Sequence, residues 1–305
     1  MKRIEQMTKR FNKTSKLTSI FHFLFLTVIS LLICFPLIWA LSTSLKPKSE
    51  LSSIPPTIIP KNITLQNYEH LITGKAQYFS ADPAYKANST PPQYFVGWFL
   101  NSFIVSFFST LISLVISTLA AYSITRFKFR GRKIVPYVSL LGYMVPSIIL
   151  VFPLFMIMVK LGLTDSLWSL VLGYVSITLP FCMWLLWAFF RGIPIELEEA
   201  AMIDGASRIR VFITIILPMA LPGIIAAGIF SIIVSWNDFL FARVFMNSME
   251  NLPLTVGVML FFEGVHVDWG LMMASAVLMT LPMAILFMLL QKHLVAGFGA
   301  GAVKG

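Results

Sequence analysis

The stretch FLNSFIVSFFSTLISLVISTLAAYS, residues 99–123, holds 25 residues and no charged side chain. The hydrocarbon core of a bilayer is about 30 Å thick, and an α-helix needs roughly 20 apolar residues to cross it. A helix is the expected form, because it satisfies its own backbone hydrogen bonds where no water is present. The stretch therefore predicts a transmembrane helix.

Five further apolar stretches have the same character, and the composition agrees with them. Of the 305 residues, 57% are hydrophobic and 12% are charged, whereas about 25% of a soluble domain is charged. The stretches cover residues 20–41, 135–159, 167–190, 223–245 and 271–290. The first of them is too long for a signal peptide and has no small-residue cleavage site, so it is predicted to be retained. The predicted fold class is all-α, a polytopic membrane protein with six transmembrane helices. Kinks are expected at the internal prolines, which are Pro36, Pro146, Pro153, Pro180 and Pro282.

The positive charge of the chain predicts its orientation. Most of the 23 Lys and Arg residues fall in the N-terminus, in the links between helices two and three and between helices four and five, and in the C-terminal tail. Cytoplasmic segments are enriched in Lys and Arg, so both termini are predicted to be cytoplasmic. The net charge of +10 is then a topology signal and a contact with membrane lipid, and no nucleic-acid partner is expected.

Groups that would supply energy or chemistry are scarce. Residues 74–76, Gly-Lys-Ala, lack the upstream glycine and the hydroxyl of a phosphate-binding loop. Ion-driven carriers place ionisable groups at membrane depth, where only His22 and Asp238 are candidates. Cys34 and Cys182 lie in apolar runs, which favours buried thiols over a disulfide or a metal site. The chain is predicted to be no enzyme, to bind no cofactor and no metal, and to take its energy from a partner.

The link between helices four and five contains RGIPIELEEAAMIDGAS, residues 191–207. Pro194 suits the first turn of a helix, and the N-terminal dipole of that helix is favoured by three acids, Glu196, Glu198 and Glu199. One face carries small or apolar side chains, those of Leu197, Ala200 and Ala201. Gly205 predicts the end of this helix, and Ser207 predicts the cap of a second helix. These features alone leave two interpretations open: an interfacial helix without a partner, and a helix that docks on another protein.

A longer pattern separates the two readings. Glu199-Ala200-Ala201, then Gly205, then Ile215-x-Leu217-Pro218 resembles the complete EAA signature of permease subunits of bacterial ABC importers. In that family the segment forms a coupling helix that docks into a cleft of the ATPase subunit. The resemblance implies that Glu199 pairs with the ATPase, that Ala200 and Ala201 make a close contact, and that Gly205 forms the turn. The implied ATPase-coupling set is Glu198, Glu199, Ala200, Ala201, Asp204, Gly205, Leu217 and Pro218.

Further segments are similar to the permeases of carbohydrate importers of the MalG type. They are Ser42-Thr-Ser-Leu-Lys-Pro47, Asn101-Ser102, Ser235-Trp-Asn-Asp-Phe239 and the C-terminal Gly297-Phe-Gly-Ala-Gly-Ala-Val-Lys-Gly305. The resemblance implies that the tail reaches between the two ATPase subunits, so a docking tail is expected at Gly301, Ala302, Val303, Lys304 and Gly305. Phe298-Gly299 departs from the leucine-threonine usual at that point of the tail. Trp236, Asn237 and Asp238 are candidates for the path or a gate, and a structural role is equally open for Asp238.

The resemblance also implies an organisation and a set of partners. The partners would be a second homologous permease, two cytoplasmic ATPase subunits that bind ATP and Mg²⁺, an extracellular or periplasmic solute-binding protein, and the lipid of the bacterial cell membrane. The expected parts are a cytoplasmic basic N-terminus at 1–16, the first transmembrane helix at 17–44, an external loop at 45–97, a permease core at 98–292 with its coupling loop at 191–222, and a cytoplasmic tail at 293–305.

The expected function is the import of a sugar or an oligosaccharide, such as maltose or a maltodextrin. Two alternatives stay open at this stage, an importer of a non-sugar solute from the same superfamily and a stand-alone secondary carrier. A membrane-embedded enzyme is disfavoured, since its catalytic groups would have to converge at membrane depth. In the link 246–270, three aromatic residues could stack on a sugar or anchor the chain at the membrane interface, namely Phe261, Phe262 and Trp269.

Overall fold

The computed structural model describes residues 2–75, 92–263 and 267–302, with side chains at 18–75, 92–262 and 267–291, and the regular elements within these ranges are all helical. The helices are α1 (Lys2–Ser44), α2 (Lys48–Leu51), α3 (Gln66–Thr73), α4 (Phe95–Arg126), α5 (Val135–Tyr143), α6 (Ser147–Lys160), α7 (Leu167–Arg191), α8 (Glu196–Ile203), α9 (Arg208–Val211), α10 (Leu217–Asn237), α11 (Leu240–Phe245), α12 (Leu254–Glu263) and α13 (Trp269–Ala302). Short 3₁₀ turns occur at Pro92–Tyr94 and Met249–Asn251, and a π-helical turn at Phe212–Ile216. The predicted all-α class is confirmed.

Five helical stretches in the described ranges are long and apolar enough to cross a membrane, namely Thr18–Ser44, Pro92–Arg126, Leu167–Arg191, Arg208–Asn237 and Trp269–Gln291. A sixth candidate span consists of α5 and α6, which meet at an angle of 97°. The kink expected at Pro146 within the stretch 135–159 is therefore present, as a break between two helices. Pro146 is the physical reason, because it lacks an N–H and disfavours helical geometry at the residue before it.

The fifth span also differs from its prediction, which placed it at 223–245. The helical stretch begins at Arg208 and ends at Asn237. Asp238 follows in an extended conformation with ψ 135°, and its carboxylate accepts a hydrogen bond from the backbone N–H of Phe241 at 2.9 Å. Apolar content could not reveal this end, because the residues of α11 are themselves mostly apolar.

The centre of the bundle is formed by α4, which packs against α7 and α10. The buried face of α4 carries a hydroxyl stripe, defined here as Ser102, Ser106, Ser109, Thr110, Ser113, Ser117 and Thr118. The Thr110 hydroxyl donates to Ser231 Oγ at 3.1 Å, and the Ser113 and Thr178 hydroxyls are 2.8 Å apart. Small polar side chains let membrane helices approach closely and hydrogen-bond across their interface. The stripe is therefore the packing surface of α4.

One end of the bundle, which we call the basic end, comprises residues 126–133 and 191–210. The other end is closed by the segment that joins α11 to α12. At that end the Asn101 amide donates to the Glu250 carbonyl at 2.8 Å, and Ser102 Oγ accepts from the Leu254 N–H at 2.7 Å. The Asp165 carboxylate accepts the N–H of Ser248 at 3.0 Å. The signature pair Asn101-Ser102 thus holds α4 to this closing segment.

The first helix has little cover from the rest of the chain. It packs against α13, yet its large apolar side chains are exposed between residues 20 and 41, with Phe23 at 72% and Leu32 at 69%. The segment that follows α1 contains the short helix α3. The buried Asn67 of α3 donates to the carbonyls of Ser44 at 2.8 Å and Lys46 at 3.0 Å. The exposed face of α1 needs lipid or another membrane protein around it.

Candidate coupling site at the basic end

The predicted helix–turn–helix between the fourth and fifth spans is present. After α7 ends at Arg191, Pro194 precedes α8, whose first turn carries three acids, Glu196, Glu198 and Glu199. Acidic side chains there oppose the positive end of the helix dipole. The chain then passes through a turn to α9 and the π-helical turn, and so into α10 without leaving the helical stretch that begins at Arg208. The site is thus attached to one span on each side.

The turn after α8 is built on Gly205, which has φ +86°. The Gly205 N–H donates to the Met202 carbonyl at 3.1 Å, and the Ala206 N–H donates to the Ala201 carbonyl at 3.0 Å. These two bonds form a Schellman motif, in which glycine is favoured because it has no Cβ to strain the left-handed conformation. Ser207 then caps α9, and its side chain accepts the Arg210 N–H at 3.4 Å. The predicted stop and cap are both confirmed.

The two faces of α8 differ sharply in burial. Glu199 and Ala200 are exposed, and Ile203 is 86% exposed. Ala201 and Met202 are half-buried and pack against an apolar cluster at the basic end. The buried members of this cluster are Ala121, Cys182, Leu186, Phe190, Ile193, Val211, Ile216, Ala220 and Ala227. The helix is held by its inner face and presents its outer face to whatever surrounds the basic end.

Glu198 belongs to the inner face, where it is 4% exposed. Its carboxylate forms an ion pair with Arg126 Nε and accepts a hydrogen bond from the Tyr122 hydroxyl at 3.1 Å. Arg126 Nη2 also donates to the Ile193 carbonyl at 3.0 Å. Glu198, a member of the implied coupling set, is therefore turned away from the outer face of α8 and bonded within the chain. In the sequence, Arg126 was counted only among the basic residues that predict orientation. No local pattern pairs it with a residue in the link between the fourth and fifth spans.

The remaining members of the implied coupling set lie around this turn. Asp204 is exposed beside Gly205. Leu217 is half-buried and Pro218 is exposed at the first positions of α10, directly after the π-helical turn. Pro218 has no N–H to donate to the carbonyl of Thr214 one turn earlier, so it leaves a gap in the regular hydrogen-bond ladder. These two residues form the junction between the loop and the fifth span.

The three candidates for a path or gate lie at the far end of α10. Trp236 is 3% exposed and its Nε1 donates to the Met279 carbonyl at 3.2 Å. Asn237 is exposed and its amide donates to the Ile233 carbonyl of its own helix at 2.9 Å. The Asp238 carboxylate accepts the Tyr174 hydroxyl at 3.0 Å as well as the Phe241 N–H. All three make structural contacts, and their role in a path stays a prediction.

Replacing Asp238 by alanine should destabilise the protein because it removes the cap of α11 and leaves the buried Tyr174 hydroxyl without its acceptor. Loss of a helix cap costs about 1 kcal/mol. Thermal unfolding of the detergent-solubilised protein should show a lower midpoint for Asp238→Ala. Asn237→Ala is the matched control, since Asn237 bonds only within its own helix, and an equal shift in both variants would contradict the capping role.

Two further groups of predicted residues have different outcomes. Gly301 and Ala302 are the last residues of α13, and Val303, Lys304 and Gly305 lie outside the described residues, so the docking tail stays a prediction. Phe261 is 3% exposed, and its ring centroid is 5.8 Å from that of Trp98, which places it in the core. Phe262 and Trp269 are partly exposed, with ring centroids 6.5 Å apart. Within the described part of the chain, no three His, Cys, Asp or Glu side chains group as metal ligands.

The long apolar helices and the helix–turn–helix between two of them define a polytopic α-helical membrane protein. The chain belongs to the family described as binding-protein-dependent transport system inner membrane component, which matches residues 113–299. It is 36% identical over 281 residues to the trehalose/maltose transport system permease protein MalG of Thermococcus litoralis, covering 91% of this chain and 94% of that one. It is 35% identical over 271 residues to the inner membrane ABC transporter permease protein YcjP of Escherichia coli strain K12, covering 89% and 91%.

The fold has a counterpart among solved structures. A crystal structure of a bacterial ABC transporter involved in the import of the acidic polysaccharide alginate contains a chain that superposes with a TM-score of 0.73. The match covers 92% of this chain and 97% of that chain at 20% sequence identity. At this identity the likeness concerns the fold, and it agrees with the family to which the chain belongs.

Proposed function

We propose that this chain is the permease subunit of an ABC importer that carries a sugar or an oligosaccharide into the cell, and that α8 is its coupling helix. The observation that carries the proposal is the outer face of α8, where Glu199 and Ile203 are exposed on a helix whose inner face is fixed. The sugar is supported by the relative from Thermococcus litoralis, which is named for trehalose and maltose.

The exposed apolar side chains of the basic end support docking of another protein. Ile203 is 86% exposed and Ile209 is 73% exposed, and both flank the turn at Gly205. Removing apolar surface from water is favourable by about 25 cal/mol per Å², so both side chains contribute when a partner covers this turn, and the costs of association offset part of that gain. Glu199 lies beside them and offers a carboxylate to a basic group of that partner. We assign this partner as a cytoplasmic ATPase subunit, which binds the ATP and Mg²⁺.

The way α8 joins the spans supports transmission of movement. It is connected to α7 through residues 192–195 and to α10 through α9 and the π-helical turn. Two ATPase subunits that close on ATP displace α8, and the displacement passes to the spans on either side. A second homologous permease completes the path, and a solute-binding protein delivers the sugar to the end closed by Asn101 and Asp165. In this arrangement the basic end faces the cytoplasm, and both termini lie there.

The Glu199→Lys variant tests this function. Reversing the exposed charge should lower sugar uptake by tenfold or more, about the effect of losing 1.4 kcal/mol of binding, because a lysine would face the basic group of the ATPase. The measurement is uptake of radiolabelled maltose, trehalose and oligosaccharides by proteoliposomes that hold the complete complex. Lys128→Glu is the control, since it reverses an exposed charge at the same end of the bundle but outside α8. Equal uptake by both variants and the unaltered protein would refute the coupling role, and uptake of no sugar by the unaltered complex would refute the substrate class.

A further inference from the structure

An ion pair joins α8 to α4, a span that does not adjoin α8 along the chain. Glu198 lies on α8 and Arg126 is the last residue of α4, 72 residues earlier in the chain. Their side chains are 6% and 8% exposed respectively. The Tyr122 hydroxyl, one turn earlier on α4, bonds the same carboxylate. We call these three residues the α4–α8 node.

Arg126 holds two parts of the loop at once. One guanidinium nitrogen contacts the Glu198 carboxylate within α8, and another donates to the Ile193 carbonyl before α8 begins. The planar, rigid fork of arginine fixes both acceptors in one geometry, which a flexible lysine would not do. Arg126 therefore holds both the start and the body of α8 against the end of α4.

The stability of the folded protein is a weak explanation for a buried ion pair at this place. Desolvation of two charges offsets much of their attraction, and well-packed apolar residues of similar volume are often as stabilising as a buried ion pair. A directional pair instead selects one arrangement of the groups it joins. Here the ion pair fixes the rotation of α8 about its own axis. Successive residues of a helix are about 100° apart around that axis, so turning Glu198 inward places its neighbour Glu199 outward.

We infer that Arg126 and Glu198 are positioning residues of the transport cycle: they fix the rotation of α8 so that Glu199 and Ile203 face the ATPase, and they tie the movement of α8 to α4. This inference rests on the proposed function and deepens it. The Tyr122 hydroxyl donates to the Glu198 carboxylate and helps to hold it in this position. The role separates two adjacent glutamates, since Glu199 contacts the partner and Glu198 orients the helix that carries it.

The experiment replaces the whole ion pair by apolar residues, in the double variant Arg126→Met/Glu198→Leu. Each single variant leaves one buried charge without its partner and should lower the yield of assembled complex. The double variant removes both charges and should recover the yield. Its sugar uptake per assembled complex should stay about tenfold below that of the unaltered complex, a size typical of coupled pairs, because only the non-directional apolar contacts of Ala201 and Met202 then set the rotation of α8. ATP hydrolysis should fall less than uptake, so that more ATP is consumed per sugar.

Lys128→Met/Glu69→Leu is the control, because it removes one basic and one acidic side chain at exposed positions outside α8. It should retain uptake per complex. If Arg126→Met/Glu198→Leu recovers uptake together with yield, the node serves stability only and the inference fails. If its ATP hydrolysis and uptake fall in the same proportion, the inference fails as well. Failure of the proposed function would look different, since Glu199→Lys would then transport normally.

Discussion

A Gly205→Pro variant should reach the membrane and import no sugar. Gly205 has φ +86°, whereas the proline ring fixes φ near −65°, and a proline cannot donate the N–H that bonds the Met202 carbonyl. Incompatible geometry and a lost bond together cost about 3 kcal/mol or more, and this cost falls on the turn that directs α8 away from α9. The transmembrane packing lies elsewhere and should persist.

The measurement compares uptake with the amount of complex recovered from membranes. Gly205→Asn is the matched control, since asparagine enters the left-handed region more readily than other non-glycine residues, and there is open space around the position where a Cβ would stand. This control should keep most of the uptake. Normal uptake by Gly205→Pro, or equal loss in both variants, would show that the conformation of this turn is not what transport requires.

The second large effect is expected at Gly257, where even alanine should destabilise the fold strongly. A Cβ on this residue of α12 would lie 2.2 Å from two ring atoms of Trp98. Trp98 is fully buried on α4, and its Nε1 donates to the Met249 carbonyl at 2.7 Å, so the ring cannot move aside without losing this bond. Overpacking of a core costs about 3 kcal/mol at the upper end of its usual range, and a contact this short belongs at that end.

Thermal unfolding in detergent, followed by size-exclusion chromatography, measures the loss. Gly97→Ala provides a control of opposite sign: it lies next to Trp98 on α4, nothing stands within 4 Å of its Cβ position, and alanine is favoured over glycine in a helix by about 1 kcal/mol. Gly97→Ala should therefore unfold at a higher temperature and Gly257→Ala at a lower one. A stable Gly257→Ala protein would mean that α12 and α4 are farther apart than the structure places them.

Much of the fold follows from the sequence because bilayer thickness and backbone hydrogen bonding restrict the choices. The apolar stretches at 99–123 and 167–190 were located within a few residues of α4 and α7. Local turn chemistry was equally informative, as Gly205 and Ser207 show. Interruptions inside apolar sequence were harder to predict. Pro146 indicated a kink but not its angle, and the residues after Asp238 continue to be apolar although α10 has ended.

The position of the candidate site could be predicted from the sequence. The separate roles of its residues could not. Glu198 and Glu199 are chemically identical and adjacent, so no one-dimensional pattern shows which of them turns inward. That choice depends on Arg126, a residue distant in the chain, and on the apolar cluster that receives Ala201 and Met202. Pairing between distant segments is a property of the tertiary packing, and helix periodicity alone carries no information about it.

The hydroxyl stripe of α4 bears on how easily the bundle can rearrange. Ser109 and Ser117 donate to carbonyls of α4 itself, and Ser235 does the same within α10. Bonds that stay inside one helix survive when neighbouring helices shift, so only a few, such as the one from Thr110 to Ser231, need to exchange partners. Since interhelical hydrogen bonds in membranes average about 0.6 kcal/mol, the hydrogen bonds of the stripe add little to the cost of moving α4 against its neighbours. In the proposed importer, a seam of short alcohols would leave few hydrogen bonds to exchange when the helices move between the two access states.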